Sequence, residues 1–207
     1  VRHIAGDNAV CPTGEAVLQP GWTAAGELHF VSDRSGWWNL YRLTASGATV
    51  AAFPLAAEFA TPLWSLGMST WAACANGQLA TAYTRNGLWQ LGLIDPATRT
   101  LQEIDTPHTE FAALAAAGNR VWCVASSPTH GSELLELDAG SGAWRCLHRL
   151  GDPHLDPGFL PAPESFHYPT DDGTEAHGFY YRPAHPGYAP RPGELPLLIA
   201  LCHGGPT

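Results

Sequence analysis

The residues best placed to do chemistry stand at the end of the 207-residue sequence. There Leu197-Leu198-Ile199-Ala200-Leu201 runs through Cys202 into His203-Gly204-Gly205-Pro206-Thr207. A glycine pair directly after an apolar strand lets bare backbone approach a substrate closely, because no Cβ holds it away. N–H donors presented in this way suit acyl transfer, where they meet the negative charge of a tetrahedral intermediate. Loss of one such donor typically slows the reaction by about 10²–10³. Acyl transfer of this kind also needs a nucleophile, and no serine of the chain stands in a G-x-S-x-G elbow. The nearest approach, Gly67-Met68-Ser69-Thr70-Trp71, lacks the final glycine. No serine of these 207 residues is therefore read as that nucleophile.

Metal and cofactor chemistry finds no footing. The histidines, among them His148, His167, His177 and His185, have no H-x-x-x-H spacing. Asp152, His154 and Asp156 alternate in a proline-rich stretch, but without the pattern of a calcium loop. The cysteines, at positions 11, 74, 123, 146 and 202, are odd in number and widely spaced. They suggest neither a disulfide framework nor a zinc site, and they read as small buried hydrophobes of a protein in a reducing cytoplasm. The net charge of −9 carries no basic run, which argues against nucleic acid and against an anionic membrane surface. No apolar stretch approaches the ~18 residues of a membrane span.

The elements that must position the terminal loop are strands. Glycine and proline together make up close to a fifth of the chain, a balance that suits short strands and tight turns over long helices. Three segments share one plan. The first has strands over 26–31 and 39–43, with turns at Ser35-Gly36 and Ser46-Gly47. The second has strands over 78–83 and 88–94, with turns at Asn86-Gly87 and over 95–98. The third has strands over 119–125 and 133–137, with turns around His130-Gly131 and over 138–142. Each has a further strand candidate before it (around Trp22, Leu63 to Ala73, and Phe111 to Ala115). Each has another after it (49–53, 100–104 and 143–150). Matching Leu40, Leu91 and Leu134 gives spacings of 51 and 43 residues. Strands of a β-sandwich also recur at short intervals, but the same two-turn layout in three consecutive units favours blades of a β-propeller. Residues 1 to about 18 read as the end of a preceding blade; about three and a half blades cannot close a ring, since propellers have at least ~4. The sequence accordingly reads as a truncated piece of a larger protein.

The grammar changes after residue 155. A connector rich in proline and glycine (151–163) leads to a hairpin with strands over 164–168 and 175–181, turning at Asp171-Asp172-Gly173. A proline-rich loop over 182–194 follows, and then Leu197–Leu201, whose unbroken apolar run predicts a strand buried on both faces of a sheet. Propeller-like repeats, a connector, a hairpin and a strand ending in His-Gly-Gly-Pro-Thr resemble the prolyl oligopeptidase family of serine peptidases, and most of all its acylaminoacyl-peptidase and dipeptidyl-peptidase-like branch. The segments from Pro20 to Trp22 and from Gly26 to Tyr41 carry the blade likeness, and 197–207 the hydrolase likeness.

The resemblance implies a mainly β fold. Residues 1–155 would be the C-terminal part of a propeller, and residues 156–207 the incomplete start of an α/β-hydrolase peptidase domain. It implies an oxyanion loop at His203, Gly204 and Gly205, with Gly205 lending its N–H. It places the Ser-Asp-His triad beyond Thr207, so that the chain alone is expected to be inactive and poorly stable. Peptide is the implied substrate, no cofactor is implied, and Glu58, just before Phe59, is a candidate for binding a substrate's amino end. Asp33-Arg34 reads as a structural ion pair or turn contact, and Trp37-Trp38 as packing. A TolB-like propeller that only binds partners, and an α/β-hydrolase esterase, are the alternative readings.

Overall fold

Period-two alternation of apolar residues, broken by turns that tolerate a positive φ, generates the architecture. A computed structural model describes residues 3–6, 14–151 and 156–202. The chain divides into two units, Val1–Gly151 and Asp152–Thr207.

The first unit holds three four-stranded antiparallel sheets, each with its strands adjacent in chain order. The first comprises β1 (Val17–Trp22), β2 (Leu28–Ser32), β3 (Asn39–Leu43) and β4 (Thr49–Ala51). The second comprises β5 (Trp71–Ala73), β6 (Leu79–Arg85), β7 (Leu88–Asp95) and β8 (Thr100–Ile104). The third comprises β9 (Glu110–Ala117), β10 (Arg120–Ser127), β11 (His130–Asp138) and β12 (Trp144–Arg149). Asn86 and Gly87 both take positive φ (54° and 79°) between the paired Arg85 and Leu88, the two-residue hairpin that their types dictate.

The second sheet is apolar on both faces because it lies between the other two. Along β6, Leu79 and Tyr83 join Val31, Leu40, Phe59, Trp71 and Ile94 in one core. The alternate residues Ala80 and Ala82 join Leu91, Leu93, Val121, Cys123, Leu135 and Leu137 in the other. The third sheet buries one face only, so Val121, Cys123 and Ala125 point inward while Arg120 is exposed. Burial pushes the Cys123 thiol up to about 12, and Cys123 acts as a small core hydrophobe.

Contacts between the first two sheets centre on a bulge in β1. The register slips between Leu18 and Gly21, and Gln19 adopts a φ of 48°. The Gln19 side chain accepts the Thr70 N–H (2.9 Å) and donates to Thr70 Oγ1 (3.1 Å), while its carbonyl accepts from Trp71 Nε1 (3.2 Å). The Trp71 ring lies flush on Gly21: a Cβ there would stand 2.9 Å from Cη2. Asn39, fully buried, fixes the connector after β4. It donates to the carbonyls of Leu55 (2.9 Å) and Ala57 (3.3 Å) and accepts the Leu55 N–H (2.8 Å).

Several expectations shift. Of Leu63 to Ala73 only Trp71–Ala73 forms a strand. Gly67 takes a φ of 86°, and Leu63, Trp64 and Leu66 are exposed, with no neighbouring strand to pair with. The turn expected around His130-Gly131 lies at Pro128-Thr129, because Ser127 Oγ accepts the His130 N–H (3.0 Å) and already pairs the two strands there. Trp38 packs on the core, whereas Trp37 is exposed. Asp33 and Arg34 do have structural roles, but with other partners. Asp33 accepts the Ala16 N–H (2.8 Å), and Arg34 pairs with Glu15 (2.6 Å) over the stacked rings of Phe30 and Tyr41.

The second unit contains a short 3₁₀ turn (Pro157–Phe159), capped by Asp156, and a hairpin of β13 (Pro163–Pro169) and β14 (Glu175–Tyr181). Asp172 accepts from both Thr170 and Thr174 at the hairpin turn, and these bonds draw its carboxyl down to about 2. Phe166 lies over Gly178, where a Cβ would approach its ring to 2.6 Å. The hairpin leaves Phe166, Tyr168, Phe179 and Tyr181 largely exposed. Among the described residues no α-helix occurs, and no helix is long and apolar enough to cross a membrane.

Candidate functional site

The loop singled out by sequence, His203, Gly204 and Gly205, lies outside the described residues. The run that should carry it differs from expectation: Leu197–Leu201 forms no strand, and Leu197, Leu198, Ile199 and Leu201 are 79–97% exposed. An extended apolar segment becomes a buried strand only where flanking strands take its N–H and C=O groups and cover its faces. No described segment of the second unit does either; β13 and β14 pair only with each other.

Glu58 is held by backbone between the first two sheets. Its carbonyl accepts the Thr84 N–H (2.8 Å) in an isolated bridge, and the neighbouring Phe59 N–H donates to the Trp38 carbonyl (2.7 Å). One carboxylate oxygen, Oε2, accepts the Trp38 N–H (2.7 Å). The side chain is half-buried, and Oε1 makes no hydrogen bond to the described residues. A carboxylate fixed in this way can accept from an ammonium group through Oε1.

Two further features escaped sequence reading. Ser127 Oγ lies 3.3 Å from His130 Nδ1, but both sit at one exposed hairpin end. The ring's other neighbours are the Thr129 hydroxyl and the edge of His108, so the contact is a turn interaction without an acid to orient the imidazole. His108 and Glu133 form a buried pair, Nε2 to Oε2 at 3.2 Å, and Arg149 Nε meets the other Glu133 oxygen at 3.0 Å. Burial lowers the His108 pKa, opposed by Glu133. Nothing local marks this pair in sequence, since its members lie 25 residues apart. Among the described residues no three His, Cys, Asp or Glu side chains gather as a metal site.

No protein-family model matches the sequence, and no curated protein matches it. Solved structures do. A puromycin hydrolase, also solved as a mutant complexed with PGG, is 38% identical with a TM-score of 0.80, over 88% of this chain and 28% of its own. A puromycin-hydrolyzing peptidase of Mycobacterium tuberculosis is 30% identical with a TM-score of 0.79, over the same shares. Prolyl oligopeptidase B of Galerina marginata, 15% identical with a TM-score of 0.60 over 79% of this chain and 23% of its own, shares the fold. The chain thus spans little more than a quarter of the puromycin hydrolases that it matches. With identities of 38% and 30% and TM-scores of 0.80 and 0.79 over 88% of its length, the chain belongs to the prolyl oligopeptidase family.

Proposed function

We propose that this chain is part of a serine peptidase that hydrolyses short peptides through a Ser-His-Asp triad lying outside these 207 residues. The observation that carries the reading is the 38% identity to a puromycin hydrolase at a TM-score of 0.80. On this reading the three meander sheets within residues 1–155 are propeller blades that restrict access to the catalytic centre. Residues 156–207 open the α/β-hydrolase domain, in which Leu197–Leu201 becomes a sheet strand once its neighbours are present. His203 and Gly204 shape the loop after it, and the Gly205 N–H stabilises the oxyanion of the tetrahedral intermediate. The nucleophile adds to the scissile carbonyl, and the imidazole takes its proton and returns it to the leaving amine. Glu58, with Oε1 unoccupied, receives the amino end of the peptide.

The test compares the 207-residue chain with the full gene product on puromycin and short peptides. The chain alone should be inert and the full protein active. Gly205→Pro, which removes the N–H, should lower kcat of the full protein by about 10²–10³. Hydrolysis by the 207-residue chain, with contaminating proteases excluded, would overturn the assignment of the triad. A full gene product without a G-x-S-x-G elbow would overturn the peptidase reading altogether.

A further inference from the structure

The β13–β14 hairpin sets two histidines directly opposite each other. His167 and His177 are cross-strand partners in its register, between the pairs Ser165–Phe179 and Pro169–Glu175. Side chains alternate between the faces of a strand, and partners across an antiparallel ladder share a face with Cβ atoms ~4.5–5.5 Å apart. The two imidazoles accordingly stand side by side: their ring centroids lie 6.3 Å apart, with an angle of 48° between the planes. Both residues are exposed, and among the described residues neither ring has a hydrogen-bond partner. Their interval in the sequence matches no metal-binding spacing, so only the register reveals the pair.

The rest of the hairpin holds that register. Its opposite face is built on Phe166, which stacks with Tyr168 (6.0 Å between centroids) and covers Gly178. At the turn Asp172 ties Thr170 to Thr174, and at the open end Glu164 pairs with Arg182. The Arg182 guanidinium lies over the Tyr180 ring (5.7 Å), and Tyr180 is the partner of Glu164, so this cation sits on the aromatic face. On the histidine face the register places no arginine to repel a second cation. The charged residue it does place there is Glu175, diagonal to His167.

Each neutral imidazole offers one lone pair, and imidazole suits zinc, copper and nickel, whereas calcium and magnesium take oxygen ligands. A tetrahedral zinc ion bound at ~2.0–2.1 Å by one nitrogen of each ring would place the two centroids about 5 Å apart. The rings stand roughly 1 Å beyond that, a gap that rotation of two exposed side chains closes without moving the backbone. We propose that His167 and His177 together bind a divalent transition-metal cation of the zinc class, through one ring nitrogen from each, with water in the remaining positions. Two protein ligands make an open site, weaker than a closed structural one. Because the ligands come from opposite strands, the metal also pins the hairpin and stabilises it by binding the folded form alone. The inference does not rest on the peptidase reading.

Zinc chloride is the probe, with magnesium chloride as its hard counterpart. The 207-residue chain is titrated with each at neutral pH in a non-coordinating buffer, and long-range ¹H–¹⁵N spectra follow the histidine ring nitrogens. The signals of the pair are identified through His167→Gln and His177→Gln, both at exposed positions. The two rings should shift together and saturate at one zinc per pair, while magnesium moves neither. Either substitution should weaken zinc binding at the remaining ring by about 10²-fold, because the second ligand acts at high effective concentration. His148→Gln, at an exposed position in the first unit, should leave the affinity of the pair unchanged. Rings that titrate independently, shifts that never saturate, zinc held only by other histidines, or a single substitution that leaves the remaining ring's affinity unchanged would each overturn the proposal.

Discussion

Asn39 permits a sharp test of how the first sheet is held to the second. Its amide makes three hydrogen bonds to the connector after β4, two of them at 2.8 and 2.9 Å, from a position only 1% exposed. Asn39→Ala would leave the Leu55 N–H and the Ala57 carbonyl without partners, while the Leu55 carbonyl keeps the Ala57 N–H (2.9 Å). Each orphan costs roughly 1–3 kcal/mol, so a loss of about 3 kcal/mol is expected for the Leu55 N–H and the Ala57 carbonyl together. With a urea m-value of ~2 kcal/mol/M, the unfolding midpoint should fall by about 1.5 M. Asn39→Asp is the more discriminating change. The new carboxyl keeps an acceptor for the Leu55 N–H, but at neutral pH it turns its second oxygen toward two carbonyls at 2.9 and 3.3 Å. Only the protonated form can donate to them, so its folded pKa must lie above the unfolded ~3.9. A carboxyl raised in this way destabilises fully above its folded pKa. The penalty shrinks by up to about 1.4 kcal/mol per pH unit as pH falls from the folded toward the unfolded value. Midpoints for wild type and Asn39→Asp, measured at intervals between about pH 7 and 5, should therefore converge on acidification. If the gap stays constant, or if Asn39→Ala costs under about 1 kcal/mol, the three bonds do not hold the connector as argued.

The wild-type chain should show the opposite pH trend. Burial holds both His29 and His108 below the ordinary imidazole value, so the unfolded chain takes up protons first as pH falls below ~6.5, and stability drops by up to about 1.4 kcal/mol per unit for each. Urea midpoints should decline between about pH 7 and 5.5, and His29→Phe should flatten part of that slope. Gly21→Ala should cost about 1–3 kcal/mol, because its Cβ would stand 2.9–3.0 Å from the rigid Trp71 ring. The same change in a Trp71→Leu background should cost distinctly less, a coupling that a double-mutant cycle of urea midpoints reads directly.

Where local chemistry decides structure, the sequence was legible. Asn86-Gly87 places its hairpin to the residue. The three repeats located nearly every strand of the first unit. The errors fall where the decisive partner is remote. Leu63 to Met68 is as apolar as many strands, yet among the described residues no strand pairs with it, and Gly67 turns the chain aside. Glu15 meets Arg34 from 19 residues away, and His108 meets Glu133 from 25, distances over which no periodicity reports. Leu197–Leu201 shows the same limit from the other side. An apolar run states what a segment requires, namely cover on both faces and partners for its backbone, but the supply of that cover belongs to other segments. The exposure of all four of its large side chains is the unmet requirement made visible. The oxyanion-loop reading of the glycine pair after this run therefore depends on a strand whose formation must be driven by partners that the described residues do not contain. This gives the peptidase reading a structural consequence beyond activity. In the full gene product, amides of Leu198 to Leu201 should gain strong protection from hydrogen exchange, whereas in the 207-residue chain they should exchange at unprotected rates. Equal protection in both would mean that this run is not a strand of a hydrolase sheet, and the oxyanion role of Gly205 would fall with it.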